Sequence, residues 1–270
     1  MSEPSDYLFS RGTKPLLITM PHTGTAVPAD IAERLTPEAQ GVPDTDWHIE
    51  KLYAFAHAMG ASVLQANWSR YVVDLNRPPD GQSLYPGQAT TGLCPVTRFD
   101  GGAIYHPGGE PSAEEIAARR ERYWQPWHDK LAQTLAELRQ QFSAVVLWDA
   151  HSIRSVLPQF FDGKLPDFNI GTNDGTSCSP ELQKRIADIS RSSPSFTAVE
   201  NGRYKGGYIT RHYGAPEQGI HALQMELTQS AYMTETPPWS WSASQAAELQ
   251  KPLEAMITAA LGFAEQLSRR

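Results

Sequence analysis

Three apolar segments of the chain end in polar residues that could do chemistry. His22 closely follows LLITM, His151 follows VVLWD, and Glu226 follows HALQM. A neutral imidazole is a good ligand for Zn²⁺, and a carboxylate among apolar residues has a raised pKa that suits it to general acid–base work. The pattern therefore predicts a metal centre with an acid–base carboxylate beside it. For each of these residues taken alone, a purely structural role is the alternative.

The third ligand of such a metal is expected from the segment DTDWHIE, which follows His22 in the chain. A catalytic zinc usually takes three protein ligands, often including a carboxylate, and leaves one position for water. The segment offers Asp44, Asp46, His48 and Glu50. Asp46 lies near the start of a predicted helix, where it could cap the helix or bind the metal. Co²⁺, Mn²⁺ or Fe²⁺ could occupy the same ligands, so the sequence does not fix the metal.

Two neighbours of His151 have different predicted roles. Asp149 lies two residues earlier on a predicted strand, so both side chains point the same way and Asp149 could orient a ligand through its second ring nitrogen. Ser152 is a candidate nucleophile, but no G-x-S-x-G turn surrounds it. We therefore favour metal chemistry over a serine nucleophile.

Arginines predict a site for carboxylates. Asn76 and Arg77 stand immediately before two prolines that stiffen the backbone, and the guanidinium of arginine matches a carboxylate with two parallel hydrogen bonds. Arg70 lies a few residues earlier. Arg211, in the loop-like segment YKGGYITRHYG, is a further candidate for contact with substrate. The alternative is that these arginines hold loop carbonyls.

Short apolar runs alternate with helix-like segments, which predicts an α/β fold with a mostly parallel or mixed sheet covered by helices. Helices are predicted over 44–60, over roughly 112–142 with an interruption at Pro126, over SPELQKRIADISRS, and over 242–270. Strands are predicted for PLLITMPH, SVLQANW, YVVDLN, AVVLWDAH, DFNIGT, FTAVEN and IHALQMEL, the second and third forming an antiparallel edge or a hairpin. In such sheets chemistry takes place beyond the carboxyl ends of the strands.

Residues 78–111 form a long Gly- and Pro-rich stretch without a predicted helix or strand. A loop of that length inside a compact domain is uncommon unless it is functional, so we expect it to shape the active site. It contains no phosphate-binding glycine pattern. With 270 residues, the chain is expected to form a single domain, 1–270, that includes this loop.

Composition excludes several classes of partner. The net charge is −7 and the basic residues are scattered, which argues against nucleic acid or an anionic membrane as the main partner. Two cysteines without a CxxC pattern suit a reducing compartment. No secretion-type apolar segment and no membrane-length apolar run are present, so a cytoplasmic protein with a small-molecule substrate is expected. The sequence makes no prediction of oligomeric state.

Several motifs, in order along the chain, resemble those of the N-formylglutamate amidohydrolase family. They are PHTGTAVP, DTDWHIEKLY, SRYVVDLNRPP, LWDAHSIRS and GGYITRHYGAPEQGIHALQMEL. The resemblance covers about residues 15–260. It implies a zinc-exopeptidase-like (phosphorylase/hydrolase-like) α/β fold, which is a three-layer sandwich with a mixed, mostly parallel sheet between helices. It also implies hydrolysis of N-formyl-L-glutamate to formate and L-glutamate, a step of bacterial histidine breakdown.

The resemblance also implies roles for particular residues. It makes His22, Asp46 and His151 the ligands of a Zn²⁺ ion, with Asp44 as the rival of Asp46. Glu226 resembles the general base of metallocarboxypeptidases.

The remaining implied roles concern the substrate. Asn76 and Arg77 resemble the carboxylate-binding pair of metallocarboxypeptidases. In the resulting mechanism, Arg70 assists the oxyanion and Arg211 holds the second carboxylate of the substrate.

Two alternatives remain open at this level. The same scaffold could act on another N-acyl amino acid or small amide, with the choice set by loop 78–111. A non-catalytic binder of acidic amino acids would keep the arginines, but it would not need His22, His151 and Glu226 together.

Overall fold

The computed structural model describes residues 4–84, 87 and 90–268, and the described residues contain one seven-stranded sheet. The strands are β1 (Tyr7–Ser10), β2 (Leu16–Met20), β3 (Ser62–Ala66), β4 (Val145–Ile153), β5 (Phe168–Gly171), β6 (Ala198–Glu200) and β7 (Ile220–Thr228). Their order across the sheet is β1-β3-β2-β4-β7-β5-β6.

The centre of the sheet is parallel and its edges are mixed. β3, β2, β4 and β7 run in the same direction, β1 is antiparallel to β3, and β5 is antiparallel to β7 but parallel to β6. The prediction of an α/β fold with a mixed, mostly parallel sheet between helices is confirmed.

Nine α-helices flank the sheet within the described residues. They are α1 (Ala29–Ala32), α2 (Pro37–Gln40), α3 (Ile49–Leu52), α4 (Phe55–Ala58), α5 (Ala113–Arg119), α6 (Gln125–Gln141), α7 (Pro180–Arg191), α8 (Tyr208–Tyr213) and α9 (Ala243–Ser268). Across residues 4–84, 87 and 90–268, every helix is too short or too polar to cross a bilayer.

Alternate residues of the central strands enter two different hydrophobic layers. On β2, Leu16 and Ile18 pack in the layer that contains α7 and α9, whereas Leu17 packs in the layer that contains α6. On β4, Trp148 belongs to the first layer and Leu147 to the second. Because helices cover both faces, these strands are apolar at almost every position.

The prediction of one helix over 44–60 is wrong, since the segment forms two single turns, α3 and α4. His48, just before α3, has φ +63° in the left-handed region, so a helix cannot run through it. The turn brings the backbone N–H of Asp46 within 3.0 Å of the carbonyl oxygen of His22. The helical spacing nevertheless buries Ile49 and Leu52 in the core.

The predicted hairpin is also wrong. β3 pairs with β1 and β2, and residues 71–76 form no strand although Val72, Val73 and Leu75 are buried. The backbone N–H of Asp74 donates to the carbonyl of Leu93 at 2.7 Å, so this irregular segment is paired with the long loop and not with the sheet. The edge strand β1 was not predicted, because its four residues are half-exposed and lack a strong apolar pattern.

The predicted interruption near Pro126 is a π-helical turn, Arg120–Trp124, between α5 and α6. Proline lacks an N–H and disturbs the helical hydrogen bonds of the preceding turn. The turn presents Trp124, whose indole N–H donates to the carbonyl of Arg77 at 3.1 Å. The helix thereby anchors the segment that carries Asn76 and Arg77.

In its described part, the long loop 78–111 forms isolated β-bridges, and it contains neither a helix nor an extended strand. Thr97 bridges Ala103, and Tyr105 bridges Leu35. Ile104 and Tyr105 are buried in a small core of their own, which fixes the loop against α1 and α2. Residues 85, 86, 88 and 89 of this loop lie outside the described residues.

Candidate active site

The carboxyl ends of β2, β4 and β7 bring the predicted site residues to one edge of the sheet. Asp149 on β4 lies opposite Thr19 on β2, and His151 on β4 lies opposite Glu226 on β7. Residues two apart on a strand share a face, so Asp149 and His151 point the same way. His22 follows β2 by two residues and enters the same edge.

His22, Asp46 and His151 form a buried group of metal-ligand type. Nδ1 of His22 lies 3.2 Å from Nδ1 of His151, and Oδ2 of Asp46 lies 3.2 Å from Nδ1 of His151 and 3.7 Å from Nδ1 of His22. A tetrahedral zinc with ligands at its usual bond lengths separates the ligand atoms by about 3.3 Å. The three donor atoms therefore have the spacing of a metal site.

A carboxylate holds the far nitrogen of each histidine. Asp74 Oδ1 is 2.7 Å from Nε2 of His22, and Asp149 Oδ2 is 2.8 Å from Nε2 of His151. The hydroxyl of Thr19 donates to the other oxygen of Asp149 at 2.7 Å. An imidazole that donates from Nε2 keeps an unprotonated Nδ1, which is the form that binds a metal. The two Nδ1 atoms are thus directed at the same point.

Charge around the group favours a cation. Burial alone would lower the pKa of His151, but Asp149 and Asp46 outweigh burial and raise this pKa well above its usual value. Burial would raise the pKa of Asp46, but Arg70 and the histidines outweigh it and keep Asp46 ionised. The two Nδ1 atoms lie 3.2 Å apart, a distance that either a proton shared between them or a metal ion bound by both would stabilise. The donor set suits Zn²⁺ and other first-row divalent ions.

The structure separates Asp46 from its rivals for the third ligand position. Asp44 accepts from the hydroxyl of Tyr71 at 2.7 Å and from the backbone N–H of Phe99 at 2.9 Å, and Arg154 binds its other oxygen. His48 bonds to a backbone carbonyl through Nε2. Of the four acidic or imidazole side chains in DTDWHIE, Asp46 is the one grouped with the two histidines.

Arg70 lies beside His22, Asp46 and His151, which together we call the donor group. Its guanidinium donates to Oδ1 of Asp46 at 2.7 Å and lies 3.9 Å from Oδ2 of Asp74. The guanidinium carbon is 4.8 Å from the centre of the Phe99 ring. A buried cation is therefore fixed next to the point where the donor atoms converge.

Gln224 links Asn76 to Glu226. Its Oε1 accepts from the backbone N–H of Gly207 at 2.8 Å and from Nδ2 of Asn76 at 3.4 Å, and its Nε2 donates to Oε2 of Glu226 at 3.1 Å. Oδ1 of Asn76 accepts from the backbone N–H of Ile209 at 2.9 Å. Two of the predicted site residues are thus held by one side chain that was not predicted.

Glu226 has the environment of an acid–base group. Burial raises its pKa to about 8, with Asp46 adding to this effect and His151 and Arg70 opposing it. A carboxyl group that titrates near neutral pH can both accept and donate a proton there.

Gly207 allows the backbone just before α8 to lie close to the side chain of Asn76. A Cβ atom at this position would lie 2.3 Å from Nδ2 of Asn76. Any larger residue would displace that amide, which explains the second glycine of the GGYITRHYG segment.

One cavity brings together most of the residues predicted from the sequence. It is lined, among others, by His22, Arg70, Asn76, Arg77, His151 and Glu226. Thr90 and Phe99 of the long loop also contribute to its wall, as we expected of residues 78–111.

One predicted arginine lies outside the cavity wall, and one arginine that was not predicted belongs to it. Arg211 lies on α8, its Nε donates to the carbonyl of Gly206 at 2.8 Å, and it is absent from the described residues that line the cavity. The helix directs this side chain back along its own first turn. Arg203, which was not predicted, does line the cavity.

Three further contributors to the site were missed: Asp74, Gln224 and Arg203. Asp74 and Gln224 each lie two residues before a predicted site residue, Asn76 and Glu226, and this spacing was the available signal. Arg203 precedes Gly206 and Gly207 in a loop, and nothing in its local sequence distinguished it from Arg211.

Fold and site together define an α/β enzyme in which two histidines and an aspartate could bind a metal beside a buried glutamate. A family model described as N-formylglutamate amidohydrolase matches residues 14–233. The chain is 48% identical to the N-formylglutamate deformylase of Pseudomonas putida over 262 residues, which cover 97% of this chain and 98% of the relative. It is also 48% identical to that of Pseudomonas aeruginosa, covering 96% and 97%. The chain belongs to the N-formylglutamate amidohydrolase family.

Solved structures agree with this placement. The N-formylglutamate amidohydrolase from Ralstonia eutropha superimposes with a TM-score of 0.79 at 25% identity, covering 97% of this chain and 98% of the other. The gene product Atu2144 from Agrobacterium tumefaciens, at 19% identity and a TM-score of 0.69, covers 94% of each chain and shows the same fold.

Proposed function

We propose that the protein hydrolyses the formamide bond of N-formyl-L-glutamate to formate and L-glutamate, and that it needs a divalent metal, Zn²⁺ or a similar ion, to do so. The observation that carries the proposal is that His22, Asp46 and His151 converge on one point beside a cavity whose wall includes His22, His151 and Glu226. The choice of substrate is based on the two relatives that are named N-formylglutamate deformylase. In a cell, this reaction would complete a route of histidine degradation in the cytoplasm.

His22, Asp46 and His151 would hold the metal. When bound there, a divalent ion supplies a Lewis acid that makes water more acidic and polarises a carbonyl group. Asp74 and Asp149 keep the two imidazoles oriented toward it, since each carboxylate accepts from one Nε2.

Glu226 moves the proton. Its carboxylate takes a proton from the attacking water as the new oxygen–carbon bond forms at the formyl carbon. It then delivers that proton to the amide nitrogen as the carbon–nitrogen bond breaks, which releases formate and the free amine. Burial raises the pKa of Glu226, which favours the donating step.

Arg70 stabilises the oxygen that becomes negative during the attack, because its guanidinium is already fixed beside Asp46. Asn76 and Arg77 bind one carboxylate of the substrate. Arg77 donates to the carbonyl of Thr91 through Nε and to the hydroxyl of Thr91 through Nη2, so the position of its guanidinium depends on the long loop. That loop is therefore expected to influence which amino acid is accepted.

Replacing Glu226 with Gln tests the proton transfer. The variant keeps the shape of the side chain but cannot accept a proton, so kcat should fall by about 10²–10⁴-fold while metal content stays unchanged. Formate release from N-formyl-L-glutamate measures the loss. Turnover close to that of the wild type would remove Glu226 as the base.

A substrate panel tests the substrate assignment. N-formyl-L-glutamate should be hydrolysed with a higher kcat/KM than N-acetyl-L-glutamate or N-formyl-L-aspartate. A clear preference for another N-acyl amino acid would keep the chemistry but overturn the named substrate.

A further inference from the structure

Positive charge dominates the cavity wall. Among the described residues, three arginines line the cavity, namely Arg70, Arg77 and Arg203, but Glu226 is the one carboxylate that does so. Such a site favours an anionic substrate, and more than one cationic contact suits a substrate with two carboxylates. Arg70 is bound to Asp46 of the donor group and is proposed to stabilise the oxyanion. Arg77 adjoins Asn76, and the two are proposed to bind one carboxylate of the substrate.

Arg203 is held in a fixed position on an aromatic surface. Its Nε donates to the carbonyl of Phe160 at 2.7 Å, and its guanidinium carbon lies 6.0 Å from the centre of the Phe160 ring and 5.3 Å from that of Tyr204. An arginine fixed in this way loses little freedom when it binds an anion.

Two neighbouring rings separate Arg203 from Arg70. Phe99 and Phe160 pack edge to face with centres 5.2 Å apart. The guanidinium of Arg70 lies over Phe99, and that of Arg203 lies over Phe160. Arg70 is next to the donor group, whereas Arg203 lies on the far side of both rings from it. The two cations therefore lie at separate positions along the same wall of the cavity.

We infer that Arg203 binds the side-chain carboxylate of the substrate and makes the site selective for acidic N-acyl amino acids. This inference rests on the proposed function. The formyl group lies at the donor group beside Arg70, the α-carboxylate at Asn76 and Arg77, and the side-chain carboxylate at Arg203. The apolar wall around Phe160 contacts the methylene groups between them.

The test compares N-formyl-L-glutamate with N-formyl-L-glutamine, which has the same shape but no side-chain charge. Arg203→Gln should lower kcat/KM for N-formyl-L-glutamate by about 100-fold and change that for N-formyl-L-glutamine by less than about threefold. Arg203→Lys, which keeps the charge, should recover part of the preference. Arg185→Gln, at a partly exposed position of α7, makes the same chemical change outside the cavity and should leave both values unchanged.

The outcomes separate this inference from the proposed function. If the wild type hydrolyses N-formyl-L-glutamate but Arg203→Gln keeps the same preference for it, or loses activity equally on both substrates, the role of Arg203 is wrong. The same holds if Arg211→Gln abolishes the preference instead. Thermal unfolding and metal content show whether each variant is folded.

Binding provides a readout that does not need turnover. If the wild type does not hydrolyse N-formyl-L-glutamate, the proposed function fails. Calorimetry with L-glutamate and L-glutamine then decides the role of Arg203. A preference for L-glutamate that is lost in Arg203→Gln supports it, and equal binding of the two by the wild type contradicts it.

Discussion

Each histidine of the candidate metal group has a carboxylate on the side away from the other histidine. Asp74 contacts Nε2 of His22 at 2.7 Å and Asp149 contacts Nε2 of His151 at 2.8 Å. These carboxylates are fully buried, and a buried carboxylate is costly unless it is paired. Their arrangement is explained if they orient two imidazoles that bind the proposed metal.

Replacing Asp74 with Asn tests this orientation. Asparagine keeps the size of the side chain, but it removes the charge that fixes the tautomer of His22. The affinity for Zn²⁺ should fall by about 10–100-fold, measured by competition with a chromophoric chelator. Asp188→Asn, on the exposed surface of α7, is the matched control. Unchanged affinity in Asp74→Asn would show that His22 does not bind the metal through Nδ1.

The two orienting carboxylates also show what the sequence can predict at this scale. Asp149 was predicted because it lies two residues from His151 on one strand, where side chains share a face. Asp74 belongs to an irregular segment that the sequence assigned to a strand, and its partner His22 is 52 positions away. The two-residue spacing from Asn76 indicates that Asp74 is near the site, but no local pattern indicates that its partner is His22.

At the scale of elements, the site depends on how closely α8 approaches the segment that carries Asn76. The backbone N–H of Gly207, just before α8, donates to Gln224, and that of Ile209 donates to Asn76. The first turn of α8 thus fixes the side chain proposed to bind a carboxylate.

Replacing Gly207 with Ala should disturb this contact. The added methyl would lie 2.3 Å from Nδ2 of Asn76, so the amide must move. We expect KM for N-formyl-L-glutamate to rise by about 10–100-fold, because small displacements of a binding group are costly. Steady-state kinetics measures the change.

Gly262→Ala is the matched control for this variant. Gly262 lies within α9 and has no atom within 4 Å of an added Cβ. The substitution should leave KM unchanged and stabilise the fold by about 0.5–1 kcal/mol. An unchanged KM in Gly207→Ala would contradict the role of Asn76 in binding.

Elements with continuous apolar runs could be predicted from the sequence, and elements shaped by the site could not. β2, β4 and β7 were predicted because they are buried on both faces, which produces uninterrupted apolar sequence. Residues 44–60 have helical spacing, yet the left-handed backbone at His48 keeps residues 44–48 out of the helix, and Asp46 in that stretch contacts His151. Local propensity was overridden there by the functional site.

At the scale of the whole molecule, one buried histidine makes the fold sensitive to acid. His128 on α6 bonds to the carbonyl of Leu75 at 2.8 Å and to the hydroxyl of Tyr213 at 2.9 Å, joining α6, α8 and the segment before Asn76. Burial lowers its pKa to about 3, against 6.5 for an exposed histidine. The folded protein therefore keeps His128 neutral where the unfolded chain is protonated.

This difference predicts how stability depends on pH. As the pH falls from 6.5 toward 3, the unfolded state binds a proton that the folded state does not, so the free energy of unfolding decreases by up to about 1.4 kcal/mol per pH unit. In His128→Gln this contribution disappears, and the decrease should be shallower. Urea unfolding of chelator-treated protein between pH 5 and 8 measures both slopes. Identical slopes would show that His128 is not buried in its neutral form.

The central claim is that His22, Asp46 and His151 hold a divalent metal on which hydrolysis of N-formyl-L-glutamate depends. The most direct measurement is formate release by chelator-stripped protein, titrated with Zn²⁺, alongside the metal content of the wild type and of His151→Ala. We predict activity that is lost on stripping, returns with about one equivalent of metal per chain, and is absent in His151→Ala together with the bound metal. Full activity of the stripped protein, or tight metal binding by His151→Ala, would contradict the claim.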